Sequence, residues 1–376
     1  MYRSMTRLAA GLLVLGLGLA ACGGSPTASD PSSGNGSDGG SEGSTVAETF
    51  YAEMGALVGK ERRDALVVKA EQEGELIIYT SMTSDVAASV VDAFEDTFGV
   101  KVSLYRAGSE TVLQRVLQEQ QANFAGNDVI ETNATELFAL AKEDRLAEYK
   151  GERRELVPDA GTFDGWTASR FNLFAPSWNT DLIKALGEPK SWEDLADPKY
   201  DGKLAMELGD YDWYLTLYGW FAEQGKSEAE IDKIFADMAN GAKIVKGHTV
   251  QGELLSAGQF AVVASNYTYL VERVVQKGAP VAYTPLVEPV IARPNGIGLM
   301  KTAAHPAAAM LFYDWLLEEG QRVLAGEGLT PSIAPANDPL EGVDIIPVDI
   351  EKLLTENDKW SKKYEAVVQG GEQVEK

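Results

Sequence analysis

Cysteine is almost absent: the chain of 376 residues has one, Cys22. A single thiol forms no internal disulfide, so no disulfide framework holds the fold and no cysteine metal site is available. Histidine is nearly as scarce, with His248 and His305 alone. Their spacing excludes a His-Glu-x-x-His zinc helix, and no Gly-x4-Gly-Lys-Ser/Thr phosphate loop occurs. Positive charge is in deficit: 33 Lys and Arg stand against 57 Asp and Glu, a net charge of −24 at pH 7. Nucleic acid wants a basic face, so such a body is a poor partner for it. Acidity of this kind keeps a protein soluble and does not by itself specify a cationic ligand. Long apolar runs are missing too, except for residues 8–21.

That one run is too short for a comfortable membrane span, which needs about 20 apolar residues. It follows Arg3 and Arg7, so residues 1–21 read as a secretory signal peptide. The run ends in Leu19-Ala20-Ala21-Cys22, which resembles the bacterial lipobox. The resemblance implies acylation of Cys22, a new N-terminus there, and an extracytoplasmic body anchored to the cell membrane through lipid. Residues 23–44 are almost only Gly, Ser, Asp, Pro, Thr and Ala. Such a stretch buries too little apolar surface to offset its ordering entropy. Residues 22–44 therefore read as the lipidated Cys and a flexible tether.

Structure is expected from there on. Residues 45–73 form a leading helical segment, with Phe50, Met54, Leu57 and Val58 at helical spacing. Residues 75–79 (ELIIY) read as a buried strand, 85–97 as a helix, 100–105 as a strand and 110–122 as a helix with Val112, Leu113, Val116 and Leu117 on one face. Residues 128–132 are strand-like and 134–143 helical. This alternation argues for an α/β fold of mainly parallel sheets flanked by helices. Residues 170–178 (RFNLFAPSW) look extended, and Ser227-x-x-Glu230 is a capping box that starts a helix over 228–240. Residues 203–208 and 260–265 read as strands, 250–257 and 266–277 as helices, 280–290 as an extended Pro-rich stretch and 303–318 as a strong helix. His305, just before Pro306, is expected at the surface.

The order of several motifs carries a resemblance. Ile77-Ile78-Tyr79-Thr80-Ser81 opens the body, and Arg106-Ala107-Gly108-Ser109 follows the second strand. Ser191-Trp192-Glu193-Asp194-Leu195 and Asp197-Pro198-Lys199-Tyr200-Asp201-Gly202-Lys203 come next, then Lys277-Gly278-Ala279-Pro280-Val281, Asn295-Gly296-Ile297-Gly298-Leu299 and His305-Pro306-Ala307-Ala308. From about residue 74 to 332 the chain resembles the ferric-iron type of periplasmic binding proteins, receptors of ABC importers with the type II two-lobe fold. The resemblance implies one lobe from 74–169 plus 296–376 and another from 179–283. Hinge crossings would run over 170–178 and 284–295. It also implies a monomer that passes its ligand to a membrane permease and needs no catalytic cofactor.

In parallel α/β sheets ligands sit beyond the carboxyl ends of strands. Tyr79 and Ser81, then Arg106, Ser109 and Thr111, then Glu131 occupy such ends and the helix starts after them. Exposed N–H groups there favour an anion, while Ser84, Ser109 and Asn133 also suit plain N-capping. Arg106 suits an anion or a surface ion pair. In the cluster Asp210-Tyr211-Asp212-Trp213-Tyr214, Tyr211 and Trp213 are candidate walls for an organic ligand and the carboxylates suit cations or hydroxyls. Packing of Trp213 inside is the alternative. Asn266 and Tyr267 follow a buried strand. The resemblance makes Tyr267 and Tyr269 candidate ligands of Fe(III) as the transported solute. Yet the adjacent Tyr-Tyr pair is missing, and on a helix the two rings would point roughly 200° apart. Only an extended or irregular start lets both converge. His248 reads as a cap or packing residue. The leading reading is a solute receptor for ferric iron, with or without a synergistic anion. A small phosphorylated or carboxylated organic solute is its rival. From other classes, a secreted hydrolase with paired carboxylates and a lipoprotein adhesin remain.

Overall fold

A computed structural model describes residues 45–374, apart from 337 and 339. The signal, Cys22 and the tether lie outside the described residues. A leading helix pair, α1 (Val46–Gly55) and α2 (Gly59–Glu73), opens the described chain. Thr45 caps α1 reciprocally: its hydroxyl accepts from the Glu48 amide at 3.1 Å and its own amide donates to the Glu48 carboxylate at 2.8 Å. Strand and helix then alternate through β1 (Glu75–Thr80), α3 (Ser84–Phe98), β2 (Lys101–Arg106), α4 (Ser109–Gln121), β3 (Val129–Asn133) and α5 (Ala134–Lys142). Gly74 and Gly99 end α2 and α3 at φ of 75° and 70°, a left-handed turn that glycine makes without Cβ strain.

Two short strands, β4 (Leu146–Ala147) and β5 (Thr162–Phe163), precede the long β6 (Trp166–Asn179). A second alternating series follows: β7 (Leu204–Glu207), α6 (Tyr211–Glu223), α7 (Glu228–Ala239), β8 (Lys243–Val245), α8 (His248–Ser256), β9 (Val262–Tyr267) and α9 (Thr268–Gln276). The chain returns through β10 (Val281–Ala282) and β11 (Val290–Met300) to α10 (Pro306–Leu316), α11 (Glu319–Gly326) and β12 (Thr330–Pro331). It closes with β13 (Ile345–Pro347), α12 (Ile350–Thr355), α13 (Asn357–Val368) and β14 (Glu372–Val374). The capping box at Ser227 and Glu230 forms as its spacing predicts.

The main path of the sheet runs β14-β8-β7-β9-β6-β11-β3-β1-β2. Pairing is parallel within β2-β1-β3 and within β14-β8-β7-β9. Along this path it is antiparallel where β6 and β11 join each other and the two parallel sets. The sheet thus has two parallel halves stitched by one central antiparallel pair. Each half carries its own apolar packing: Phe94, Phe312 and Trp315 stand edge-on in the first, and Trp192, Trp213 and Phe235 in the second.

Four expectations change. Asn266 and Tyr267 are not helical: they end β9, and the helix begins at Thr268. The helix expected over 303–318 is shorter, α10, with a separate α11 after it. His305 is tied down rather than free at the surface, because its Nδ1 stands 2.8 Å from the buried Asp128 carboxylate. The chain end does not stay with the first half: β14 pairs with β8, and Tyr364 of α13 donates to the Glu207 carbonyl at 2.5 Å. The C-terminal segment is thus a third crossing between halves.

Candidate functional site

The helix starts that face each other are set by where strands end. β1 and β3 stop at Thr80 and Asn133 in one half, and β9 stops at Tyr267 in the other. Between them run the two central strands, and each presents an arginine. Alternation along β6 sends Arg170 and Phe174 to one face and Phe171 and Leu173 to the other. Arg170 pairs with the Glu131 carboxylate, and both are buried. Glu131 also accepts from the Thr80 hydroxyl at 2.6 Å. Arg293 of β11 stands 3.2 Å from the Asp212 carboxylate and lies over the Tyr267 ring at 5.0 Å and the Phe174 ring at 5.5 Å. The Nε atoms of Arg170 and Arg293 are both buried without a hydrogen-bond partner.

The first half adds small polar groups. Ser81 accepts from the Thr132 hydroxyl at 3.1 Å. The Ser109 hydroxyl accepts from the Asn133 amide at 3.0 Å, and the Asn133 oxygen accepts from Asn295 of β11 at 2.6 Å. Of the other expected contacts here, Thr111 is exposed on α4. Arg106 is exposed and donates from Nε to the Met82 carbonyl at 2.7 Å, bracing the loop after β1. Tyr79 turns to the helix layer instead, donating to Glu119 at 3.0 Å beneath Arg115. Burial and Glu119 push its phenol up to about 12, so it is a packing residue.

The second half is acidic. Asp210 accepts from Ser265 and faces His248 Nε2 at 3.1 Å. Glu207 accepts from the Gly247 amide at 2.7 Å. Burial alone would lower the His248 pKa, but the Asp210 and Glu207 carboxylates outweigh it and raise it above 6.5. The His248 ring stacks on Tyr267 with centroids 3.9 Å apart and a 20° tilt. Tyr267 in turn lies 5.9 Å from Tyr269 with a 12° tilt. The two tyrosines do come together, because Tyr267 is still in the strand with φ of −74° and ψ of 125°. Burial raises both phenols. For Tyr269 the guanidiniums of Arg170, Arg293 and Arg273 pull the other way. Burial also raises Tyr211, which faces Asn357 at the start of α13.

Two expected residues serve the scaffold. Trp213 is fully buried, 5.8 Å from Trp192 and 5.7 Å from Phe235 by ring centroids; its helix turn points it into the core. Asn266 is fully buried: its side-chain oxygen accepts from the Tyr267 amide at 2.9 Å, which braces the turn into α9, while its Nδ2 is buried without a hydrogen-bond partner. Arg170, Arg293, Asn295 and His248 are the residues that sequence reasoning missed or set aside. A usable signal existed for two: an arginine inside an otherwise apolar strand needs a buried partner or a ligand. Among the described residues no three His, Cys, Asp or Glu side chains converge on a metal position.

The result is a largely buried polar network with two poles. Arg170 and Arg273 act on Tyr269 at one end, Asp210 and Glu207 act on His248 at the other, and Arg293, paired with Asp212, acts on both. Two parallel α/β halves joined by paired strands, with polar groups gathered at the junction, suit a solute-binding receptor. Comparison with known proteins agrees. The family model described as bacterial extracellular solute-binding protein matches residues 79–323, and the chain belongs to that family. Members are transport receptors that work outside the cytoplasm and deliver solutes to ABC permeases, so the protein is a binding protein and not an enzyme. It is similar to the Fe(3+)-binding periplasmic protein of Serratia marcescens, with 23% identity over 305 residues, covering 76% of this chain and 88% of the relative. The fold matches the periplasmic binding protein AfuA of Actinobacillus pleuropneumoniae, solved with fructose-6-phosphate, at a TM-score of 0.65 and 21% identity, covering 79% of this chain and 99% of that one. It also matches iron-bound HitA of Pseudomonas aeruginosa at a TM-score of 0.64 and 19% identity, covering 77% of this chain and 99% of that one.

Proposed function

We propose that the cleft takes a small anionic organic solute, phosphorylated or carboxylated, and that the two halves close on it by bending at β6 and β11. The observation that carries this reading is the pair of buried, partnerless Nε donors on Arg170 and Arg293. A buried N–H without an acceptor costs about 1–3 kcal/mol, and an incoming oxyanion removes that cost in both strands at once. Ser81, Thr132 and Ser109 supply short hydroxyls at the strand ends, where helix starts favour negative charge. The acidic pole suits hydroxyl or amine groups on the rest of the solute. Cys22 holds the receptor to the membrane through its lipid, and the body acts as a monomer.

Ferric iron is the second reading. It is favoured by the stacked Tyr267 and Tyr269 and by the iron-binding relative. The raised phenols weigh against it, because iron has to displace both protons. The two readings part in one titration of the full chain against phosphate esters, phosphonates, dicarboxylates and ferric citrate. An organic anion that binds one-to-one without colour, and no longer binds Arg293→Gln, supports the first. A coloured iron complex that disappears in Tyr267→Phe and Tyr269→Phe overturns it in favour of iron.

A further inference from the structure

Arg273 lies on α9, four residues after Tyr269, so both share one helix face. It reaches across to the first half. Its guanidinium stands 2.5 Å from Asp85 and 3.2 Å from Glu327, and it donates to the Thr83 hydroxyl at 3.3 Å. Asp85 and Thr83 belong to the start of α3, and Glu327 caps the end of α11. Ser89 of α3 also donates to Glu327 at 2.6 Å and fixes one of the acceptors. Burial would raise the Asp85 carboxyl, but hydrogen bonds from Thr83, Arg273 and the Val86 amide hold it at about 2. Arg273 also faces Tyr269 at the edge of the network around Arg293, but its contact with Asp85 and Glu327 joins helices rather than sheet strands.

We propose that Arg273 is a latch that holds the two halves closed and, through α9, seats Tyr269 over the strand ends of the first half. Arg273 is a positioning residue: it acts on the solute through Tyr269 and through the time the cleft stays shut. The proposal rests on the halves moving about β6 and β11 and is independent of which solute enters. Because the contact is partly exposed, with side-chain exposures of 20%, 62% and 25% for Arg273, Asp85 and Glu327, salt weakens it. A latch of this kind favours closure without ligand, so release needs either its loss or a competing contact.

The test needs no ligand. Spin labels on Asp92→Cys and Gln276→Cys, both exposed and on α3 and α9, are placed in the full chain carrying Cys22→Ser. Unfolding and refolding in guanidinium strips bound solute before distances are measured by double electron–electron resonance. A short-distance population is expected in the parent. Its ratio to longer distances should fall roughly five- to thirty-fold in Arg273→Ala, the range that one or two kcal/mol covers. High salt should move the parent the same way. The exchange Arg273→Asp with Asp85→Arg should restore the short population, which a mere folding defect would not allow. Distances unchanged in Arg273→Ala, or a parent without any short population, overturn the latch. Failure of the solute reading would appear only in the titrations and leave these distances untouched.

Discussion

Arg293 carries more of the cleft than any other side chain, because it faces a carboxylate and two aromatic rings from the strand that joins the halves. Removing its charge leaves Asp212 buried and unpaired, and truncating one partner of such a pair costs about 2–5 kcal/mol. Arg293→Gln should therefore lose most of the affinity for an anionic solute in calorimetry while unfolding with a near-parental denaturant slope. Trp213 behaves in the opposite sense. Its ring packs on the core rings of Trp192 and Phe235, so Trp213→Ala should cost about 3–5 kcal/mol of folding stability, read as a lower urea midpoint. His248 gives a pH signature. The folded protein raises its pKa above 6.5 because Asp210 and Glu207 overcome burial. The charged ring thus adds stability that is fully present below pH 6.5 and lost as pH rises through the raised value. The melting temperature of the parent should fall towards that of His248→Gln over that rise, and a constant difference would contradict the ion pair with Asp210.

Elements decide which residues meet. A helix over 266–277 keeps Tyr267 and Tyr269 apart, whereas two extra strand residues, Asn266 and Tyr267, bring them to 5.9 Å. Apolar patterning showed a strand and a helix there but not the residue at which one becomes the other, because Asn266 and Tyr267 suit both. The strand–helix series was legible except for the three-residue β8, since period and caps are local properties and three residues are too few to show a period. The central pairing of β6 with β11 was not, because register is a property of two distant segments. The third crossing was hidden for the same reason: α13 reads as an amphipathic helix, and nothing local says which half receives its apolar face. There Trp360 and Tyr364 pack against Tyr214 with ring centroids at 6.0 and 5.4 Å. A chain ending at residue 356 should lose about 5 kcal/mol, the worth of burying Trp360, Tyr364 and Val368. Urea unfolding and dye binding to the exposed rings of α6 check this; an unchanged midpoint would mean that α13 adds nothing.

At the scale of the whole molecule, two facts combine. The sheet is continuous but narrows to the β6–β11 pair between halves, and the buried donors of the cleft sit on that pair. On the proposed hinge at β6 and β11, a solute that bridges the halves acts where the molecule would bend, which couples binding to shape through the same residues. The net charge of −24 does not by itself oppose this, since Glu131 pairs with Arg170, Asp212 with Arg293 and Asp210 with His248. The most direct measurement is the melting temperature of the full chain against a panel of phosphate esters, phosphonates, dicarboxylates and ferric citrate. A receptor for an organic anion should gain about 5 °C at a hundredfold excess of one class over its dissociation constant, and Arg293→Gln should gain nothing. A melting temperature that no anion moves, or that only ferric citrate moves with a visible colour, would contradict the account.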